Sequence, residues 1–402
     1  MGKENAISYN KKSVTDIQVD GKKVLLRCDF NVPIDKETGK IRDEGRIIAA
    51  LPTIKYLLEN NAAIIACSHF GRPKGEFKPE FSLAPVAESL SKHLGKPVKM
   101  AKDIVGSSAT ELAGNLNPGE IMLLENTRFH AEEEKNDPEF AKKLASMADV
   151  FVSDAFGSVH RAHASTEGVS HYLPAVSGFL LKKELDFIGG AISNPKRPLV
   201  AILGGAKVSD KLGVISNLLK ISDSVIIGGG MAYTFFKAEG GSIGNSLCED
   251  SEFESVLKCK AEAKERGVNL LLPVDSVAGA QFANCEPVVV DSNAVPDGMM
   301  ALDIGPRAIA DFVKEISGAG TVVWNGPMGV FEFDNFAEGT RAVAHAVANS
   351  EAISVIGGGD SAAAVRKFGV EDKISHISTG GGASLEFMEG KVLPGIACLL
   401  DA

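Results

Sequence analysis

Two kinds of anion-binding residue stand where short apolar runs end. In the second half, five such runs break into glycine. Leu199–Leu203 meets Gly204-Gly205, Val225–Ile227 meets Gly228-Gly229-Gly230, and Val322–Trp324 meets Asn325-Gly326-Pro327. Ile353–Ile356 meets Gly357-Gly358-Gly359-Asp360-Ser361, and Ile374–Ile377 leads through Ser378 and Thr379 to Gly380-Gly381-Gly382. Glycine lets a backbone approach a ligand closely. A strand-to-helix turn aims free N–H groups and a positive dipole end at an anion. One glycine pair is commonly plain turn punctuation; five around one sheet indicate a phosphate-rich ligand. In the first half the runs end in side-chain donors instead: Arg27-Cys28-Asp29-Phe30-Asn31, Ser68-His69-Phe70-Gly71-Arg72, Asn126-Thr127-Arg128-Phe129-His130 and His160-Arg161-Ala162-His163. Six of the eight histidines lie before residue 172. Arginine's planar fork makes paired bonds to carboxylate and phosphate. Any one of Arg46, Arg72, Arg128 or Arg161 alone reads as a solvated side chain; the joint pattern of donors gathered at strand ends outweighs that reading. One half is expected to hold a small anion, the other a nucleotide polyphosphate.

Lys207 and Lys211 follow the first glycine turn, four residues apart. A helix starting by Lys207 would put both ammonium groups on one face near its N-terminus, an unfavourable place for cations that a bound polyphosphate would offset. Asp360 reads either as a helix N-cap or as a carboxylate ligand for Mg²⁺ shared with phosphate oxygens. The glycine turns contain no G-x-x-x-x-G-K-[ST], and the strand after Gly204-Gly205 ends in Gly228 rather than in the acid that would hold a dinucleotide ribose. His160 and His163 lack a Cys or carboxylate cluster at ligand spacing, so no metal is expected there.

The elements that must position these groups alternate between strand and helix. Val24–Arg27, Ala63–Ser68, Ile121–Leu124 and Val150–Ser153 read as buried parallel strands, with Val268–Leu272 added to the second half. Arg46–Leu58, Leu83–Leu94 and Lys211–Ile221 carry helical spacing between them. The fold class is therefore α/β, with two parallel sheets flanked by helices. A helix-like run over Phe179–Ile192, followed by Pro195 and Pro198, marks the joint between two domains, and the segment after Gly382 is a candidate for packing back on the first. The formal charge of −10 across 402 residues argues against a nucleic-acid partner. No apolar run reaches the length of a membrane span, and Met1–Ser13 lacks the apolar core of a signal peptide. Met1-Gly2 resembles a myristoylation start, but Ala6 stands where Ser or Thr is needed. Six scattered cysteines without a C-x-x-C suit a reducing cytoplasm and small buried thiols.

With these residues assembled, the chain resembles the phosphoglycerate kinase family over essentially its whole length. The ordered motifs are Arg-Cys-Asp-Phe-Asn-Val-Pro (27–33), Ser-His-Phe-Gly-Arg-Pro (68–73), Leu-Leu-Glu-Asn-Thr-Arg-Phe (123–129) and Asp-Ala-Phe-Gly-Ser-Val-His-Arg-Ala-His (154–163). They continue through Gly-Gly-Ala-Lys-Val-Ser-Asp-Lys (204–211), Gly-Gly-Gly-Met-Ala (228–232), Trp-Asn-Gly-Pro-Met-Gly-Val-Phe-Glu (324–332), Gly-Gly-Gly-Asp-Ser (357–361) and Thr-Gly-Gly-Gly-Ala-Ser (379–384).

The resemblance implies reversible transfer of a phosphoryl group from 1,3-bisphosphoglycerate to Mg-ADP, giving 3-phosphoglycerate and Mg-ATP. It assigns Asp29, Asn31, Arg46, His69, Arg72, Arg128 and Arg161 to the glycerate substrate. Lys207, Lys211, Gly230, Glu332, Gly357, Gly358, Gly359, Asp360 and Ser361 go to the nucleotide, with Glu332 on the ribose and Asp360 on the metal. Gly380, Gly381 and Gly382 would offer amides to the phosphoryl in flight, beside Arg46 and Lys211. The implied architecture is two Rossmann-like lobes joined by a hinge. Residues 1–185 with 390–402 form the substrate lobe and 186–389 the nucleotide lobe, in a monomer that closes for catalysis. Cys28, Ser361 and Ala301 stand where the family commonly has Val, Thr and, in some members, Gly; no catalytic group is lost. Two rivals remain: a nicotinamide-dependent dehydrogenase, disfavoured by the missing ribose acid, and a non-catalytic binding protein, disfavoured by Arg46, Lys211 and Asp360. An acyl phosphate leaves a carboxylate and needs no general acid, in keeping with the lack of a Ser-His-Asp or Cys-His signature.

Overall fold

The computed structural model describes residues 9–35 and 37–402. It divides into two compact units. One runs to Asp186 and takes in Val392–Ala402; the other is Phe187–Lys391.

The first unit holds β1 (Lys23–Arg27), β2 (Ala63–Cys67), β3 (Val98–Met100), β4 (Ile121–Leu123), β5 (Val150–Ser153) and β6 (Ala175–Ser177). They form one parallel sheet in the order β3-β4-β2-β1-β5-β6. The interiors of its central strands are apolar, with charged or polar residues only at the strand ends, because helices cover both faces. Val24, Leu26, Ile64, Leu123 and Val152 pack with Ile47, Ile54 and Leu57 of the helix Gly45–Glu59 and with Val86 and Leu90 of the helix Ala84–Leu94. The chain winds outward from β1 through β2 and then returns to β5 on the other side, which makes the β1/β5 boundary a topological switch point. Ligands of such sheets bind outside the carboxyl ends near that switch. The edge strand β6 is closed off by both ends of the unit. Ser13 bridges Ser177, and the Leu400 amide donates to the Ala175 carbonyl at 2.9 Å. An exposed edge is a template for unwanted pairing, and this one is covered.

The second unit carries β7 (Leu199–Leu203), β8 (Ser224–Ile227), β9 (Ser242–Ile243), β10 (Asn269–Leu271), β11 (Asp275–Gly279), β12 (Val288–Asp291), β13 (Ala294–Val295), β14 (Met300–Ile304), β15 (Thr321–Asn325), β16 (Ile353–Gly357) and β17 (His376–Ile377). The main sheet is parallel in the order β10-β8-β7-β15-β16-β17, with β12-β11-β14 and β13-β9 as smaller sheets beside it. Its core gathers Ile202, Ile226, Trp324 and Ile356 with Phe312 and Ile316 of the helix Pro306–Ser317. Here the switch lies between β7 and β15, so the turns after these two strands are neighbours.

Some expectations need correction. The helix expected from Lys211 begins at Leu212, after a 3-10 turn over Ser209–Lys211. Lys207 and Lys211 therefore do not share a helix face, because Lys207 lies in the loop. The last strand shrinks to His376–Ile377. The run Phe179–Ile192 is helical but contains a π-turn at Leu185–Gly189, and the division between the units falls inside it. All six cysteines are free, and Cys28, Cys67 and Cys259 are buried. Among the described residues no helix is long and apolar enough to cross a membrane.

Candidate active site

In the first unit the loops after β1, β2, β4 and β5 converge on a hollow of about 250 Å³, lined by Asn31, His69, Arg72, Arg128, Arg161 and His163 among others. Asn126, fully buried, builds much of it. Its Oδ1 accepts from the amides of Phe70 and Arg128, and its Nδ2 donates to the carbonyls of Phe70 and Phe81. That ties the turn after β2 to the turn after β4. Asn31 Oδ1 accepts from the Gly71 amide at 2.9 Å, which adds the turn after β1. Arg128 Nη1 donates to the Gly71 carbonyl, and Arg161 Nε donates to His160 Nε2 at 3.2 Å. Asp29 and Arg46 do not line the hollow; they pair with each other at 2.5 Å, on the loop after β1 and the first turn of Gly45–Glu59. Burial, and then the charges of Arg128, Arg27 and Arg161, pull the His163 ring down to about 4. His163 is therefore neutral at pH 7, and the positive charge of the hollow comes from arginine.

In the second unit a polar cleft of about 390 Å³ lies over the β7/β15 switch. Gly204 to Lys207, Asp210 and Lys211 form one side, Asn325 to Pro327 another, and Gly358 to Ser361 a third. The backbones meet closely: the Gly204 amide donates to the Asn325 carbonyl at 3.0 Å and Gly205 to Pro327 at 3.1 Å. Lys211 Nζ donates to the Asn325 carbonyl at 3.3 Å and to its side-chain oxygen. Burial lowers its pKa to about 8 against the opposing pull of Asp360 and Asp210. Gly358, not Asp360, caps the helix Gly359–Lys367, so the Asp360 carboxylate in its first turn is left for other work. Ser361 is buried, and its hydroxyl accepts from the Gly326 amide at 2.6 Å, which holds two of the glycine turns together. Gly357 is the buried end of β16 and lines neither this cleft nor the cavity beside it. Gly380 caps the helix Gly381–Met388, and a Cβ on Gly381 would stand 3.7 Å from Gly358 Cα, so these two helix starts are neighbours.

An apolar cavity of about 420 Å³ opens from this cleft, sharing Gly205, Ala206, Pro327 and Asp360 with it. Gly230, Leu247, Phe282, Ala301, Met328 and Glu332 are among its other lining residues. A polar, glycine-framed cleft continuous with an apolar cavity suits a polyphosphate joined to a heteroaromatic base.

The phosphoglycerate kinase family model matches residues 14–391. A phosphoglycerate kinase of Clostridium perfringens (strain SM101 / Type A) is 57% identical over 398 residues, which is 98% of this chain and all of that one. One from Clostridium novyi (strain NT) is 58% identical over 399 residues, with the same coverage. The solved phosphoglycerate kinase of Coxiella burnetii superposes with a TM-score of 0.91 at 44% identity, covering 96% of this chain and 98% of that one.

The chain belongs to the phosphoglycerate kinase family.

It is thus a kinase whose reaction moves a phosphoryl group reversibly between 1,3-bisphosphoglycerate and ADP on one side and 3-phosphoglycerate and ATP on the other. Several residues of this phosphoglycerate kinase fold escaped a reading of strand ends. Leu247, Phe282, Met300 and Leu302 line the apolar cavity, yet in sequence they are indistinguishable from core; Ala301 between the last two was noted only through the family resemblance. Asp303 lies at the same cavity, almost fully buried; its carboxylate accepts from the amides of Gly339 and Ile304. Burial pushes its pKa up to about 7 although both amides oppose the shift. Gly157 and Ser158 were legible only as members of the 154–163 motif, without a role of their own.

Proposed function

We propose that the basic hollow of the first unit holds 3-phosphoglycerate and the acyl-phosphate product of the reverse reaction, while the cleft and cavity of the second hold Mg-ATP or Mg-ADP. In this reading Asn31, His69, Arg72, Arg128 and Arg161 bind the glycerate substrate from the lining, and the Asp29–Arg46 pair, linked to Asn31 through its amide, joins them from beyond it. Lys207, Lys211 and the turn Gly358 to Ser361 take the phosphates, with Gly357 supporting that turn from the end of β16, Gly230 borders the base, and Glu332 meets the ribose. The observation that carries this assignment is the continuity of the glycine-framed cleft with the apolar cavity through Gly205, Ala206, Pro327 and Asp360.

Magnesium fits the donor set. Among the described residues no three His, Cys, Asp or Glu side chains cluster as a metal cage. Mg²⁺ commonly takes one or two carboxylates and shares substrate phosphates, and Asp360 lies on both linings. When bound, the ion would neutralise charge on the phosphates. The chain's own groups do the rest. Phosphoryl transfer between oxygens needs alignment and charge neutralisation more than covalent chemistry. In this reading Arg46, Lys211 and the amides of Gly380, Gly381 and Gly382 spread the moving charge. Expulsion of a carboxylate from an acyl phosphate needs no proton donor, and no group is assigned that role.

The two ligand sets belong to different units, and reacting atoms must come within about 3–3.5 Å. We therefore infer a hinge-closing step, favoured with both substrates bound, which also excludes water. The protein acts as a cytoplasmic monomer. A coupled assay with 3-phosphoglycerate and Mg-ATP tests the function; purified protein that binds both ligands but shows no turnover would overturn it. Small-angle scattering of free, singly bound and doubly bound protein tests closure, and an unchanging radius of gyration in an active enzyme would refute it.

A further inference from the structure

The ring of His69 has two tautomers, and the buried groups behind it admit only one. Arg27 ends β1 and is 1% exposed. Its Nη2 lies 3.1 Å from His69 Nδ1. A guanidinium carries five donors and no acceptor, and it keeps its proton in proteins. The contact is a hydrogen bond only if Nδ1 offers a lone pair. The ring is then neutral, with its single proton on Nε2.

Arg27 is itself held in place. Its Nε donates to Ser165 Oγ at 2.8 Å, and Nη1 donates to the Cys28 carbonyl. Ser165 Oγ donates in turn to Glu133 Oε1 at 2.5 Å, and the Ser165 amide donates to Oε2 at 3.0 Å. Ser165 and Glu133 are both fully buried. A buried cation needs a compensating charge, and Glu133 supplies it one hydroxyl away. The Glu133 carbonyl also accepts from the Ala164 amide at 3.0 Å. The same carboxylate residue thus anchors the loop that carries His160, Arg161 and His163.

We propose that Arg27, Ser165 and Glu133 form a positioning relay that fixes His69 as its neutral Nε2–H tautomer, so that the ring offers one uncharged donor to the substrate anion in the hollow. The groups around the ring act in the same sense on balance. Burial, Arg27, Arg128 and Arg46 hold its pKa well below the ordinary histidine value, and Asp29 alone pulls the other way. An uncharged donor can orient a carboxylate or phosphate without adding to the arginine charge. The relay argument rests on the anion-site reading only for the ligand; the tautomer is a property of the free protein.

The test is ¹⁵N–¹H correlation spectroscopy of the histidine rings in the full wild-type chain, with His69 assigned by loss of its signal in H69Q. The expected result is an unprotonated Nδ1 and a protonated Nε2, unchanged from pH 8 to pH 6. An Nδ1–H ring, or an imidazolium, overturns the relay. Ser165→Ala then cuts the link between Arg27 and Glu133. It should raise the KM for 3-phosphoglycerate roughly tenfold, the cost of leaving a buried polar partner unmatched, with the KM for Mg-ATP unmoved, and should mix the His69 tautomers. A variant with wild-type KM and an unmixed Nε2–H ring also overturns it. An Nε2–H ring in a wild-type protein that fails to bind 3-phosphoglycerate would count against the hollow as substrate site and leave the relay standing.

Discussion

Gly204→Ala should damage phosphoryl transfer through backbone geometry alone. Gly204 opens the turn after β7, where that turn passes the one after β15. A Cβ at that position would stand 2.0 Å from the Pro327 carbonyl oxygen and 2.8 Å from that of Gly326. The approach is mutual, since a Cβ on Gly326 would stand 2.2 Å from the Gly204 oxygen. Carbon and carbonyl oxygen settle at about 3.3 Å, so the turns must separate by roughly 1.3 Å. Both obstructing atoms are backbone, so no rotamer change relieves the contact. The displacement falls on the segment carrying Lys207 and on the Asn325 carbonyl that accepts from Lys211. A misplacement of about 1 Å costs on the order of 10²-fold in rate, or about 2.7 kcal/mol of activation free energy. Steady-state assay should show this loss in kcat, with calorimetry finding 3-phosphoglycerate affinity unchanged. A folded variant that keeps kcat within about threefold of wild type, roughly 0.7 kcal/mol, would refute the reasoning. Gly205→Ala is the companion variant: Gly205 has φ +112° but open space around its Cβ position, so any loss there reports backbone strain and not collision.

Arg46→Ala should lower kcat far more than it weakens nucleotide binding, by about 3–4 kcal/mol if Arg46 meets the transferring group; an unchanged kcat in steady-state assay would take it out of the mechanism. Asp360→Ala should weaken Mg-nucleotide binding and spare 3-phosphoglycerate, read by calorimetry on each ligand, and equal loss of both would count against the assignment. Lys211 is held near 8, below its ordinary 10.5, so in the ligand-free protein its charge is present below about pH 8 and lost above it. Mg-ATP affinity should accordingly fall between pH 7 and pH 9, and Lys211→Arg, which stays charged, should flatten that profile. An equally steep decline in the arginine variant would assign the pH dependence to another group.

The strands that present ligand groups were largely legible, for a physical reason. A parallel strand buried on both faces is a continuous apolar run, and its carboxyl end is where side chains or glycines of another character begin. β3 and β6 were not legible because neither is an apolar run: Val98–Met100 carries a lysine at its centre and is only half-buried, and Ala175–Ser177 has a single large apolar residue. The lysine pair shows a different failure. Spacing of four residues suggested one helix face, but spacing does not reveal where a helix begins, and a 3-10 turn intervenes at Ser209–Lys211. Arg27 was visible among the donors of its strand end, yet its burial and its bond to His69 depend on Ser165 and Glu133, which are distant in sequence. The wall of the apolar cavity is the least readable part, since Met300 or Leu302 facing a ligand looks the same as a residue facing a core.

The closure of the β6 edge orders events during synthesis. Its outer partners include Leu400, and the helix Pro394–Ala397 docks through the Gly395 amide on the Val159 carbonyl at 2.9 Å. A Cβ on Gly395 would stand 2.9 Å from Val159 Cα, so this contact is close and specific. Val392–Ala402 leaves the ribosome only after all of Phe187–Lys391 has been made. At about 5–20 residues per second, that intervening stretch of roughly 200 residues takes on the order of 10–40 seconds. For that interval the nascent first unit has its six strands but an incomplete border, and the second unit is free to fold before the first is sealed. The final clasp, with Lys11 Nζ 2.7 Å from the Asp401 carboxylate, is thus a late step in biogenesis even though it completes the portion of the protein that the ribosome makes first.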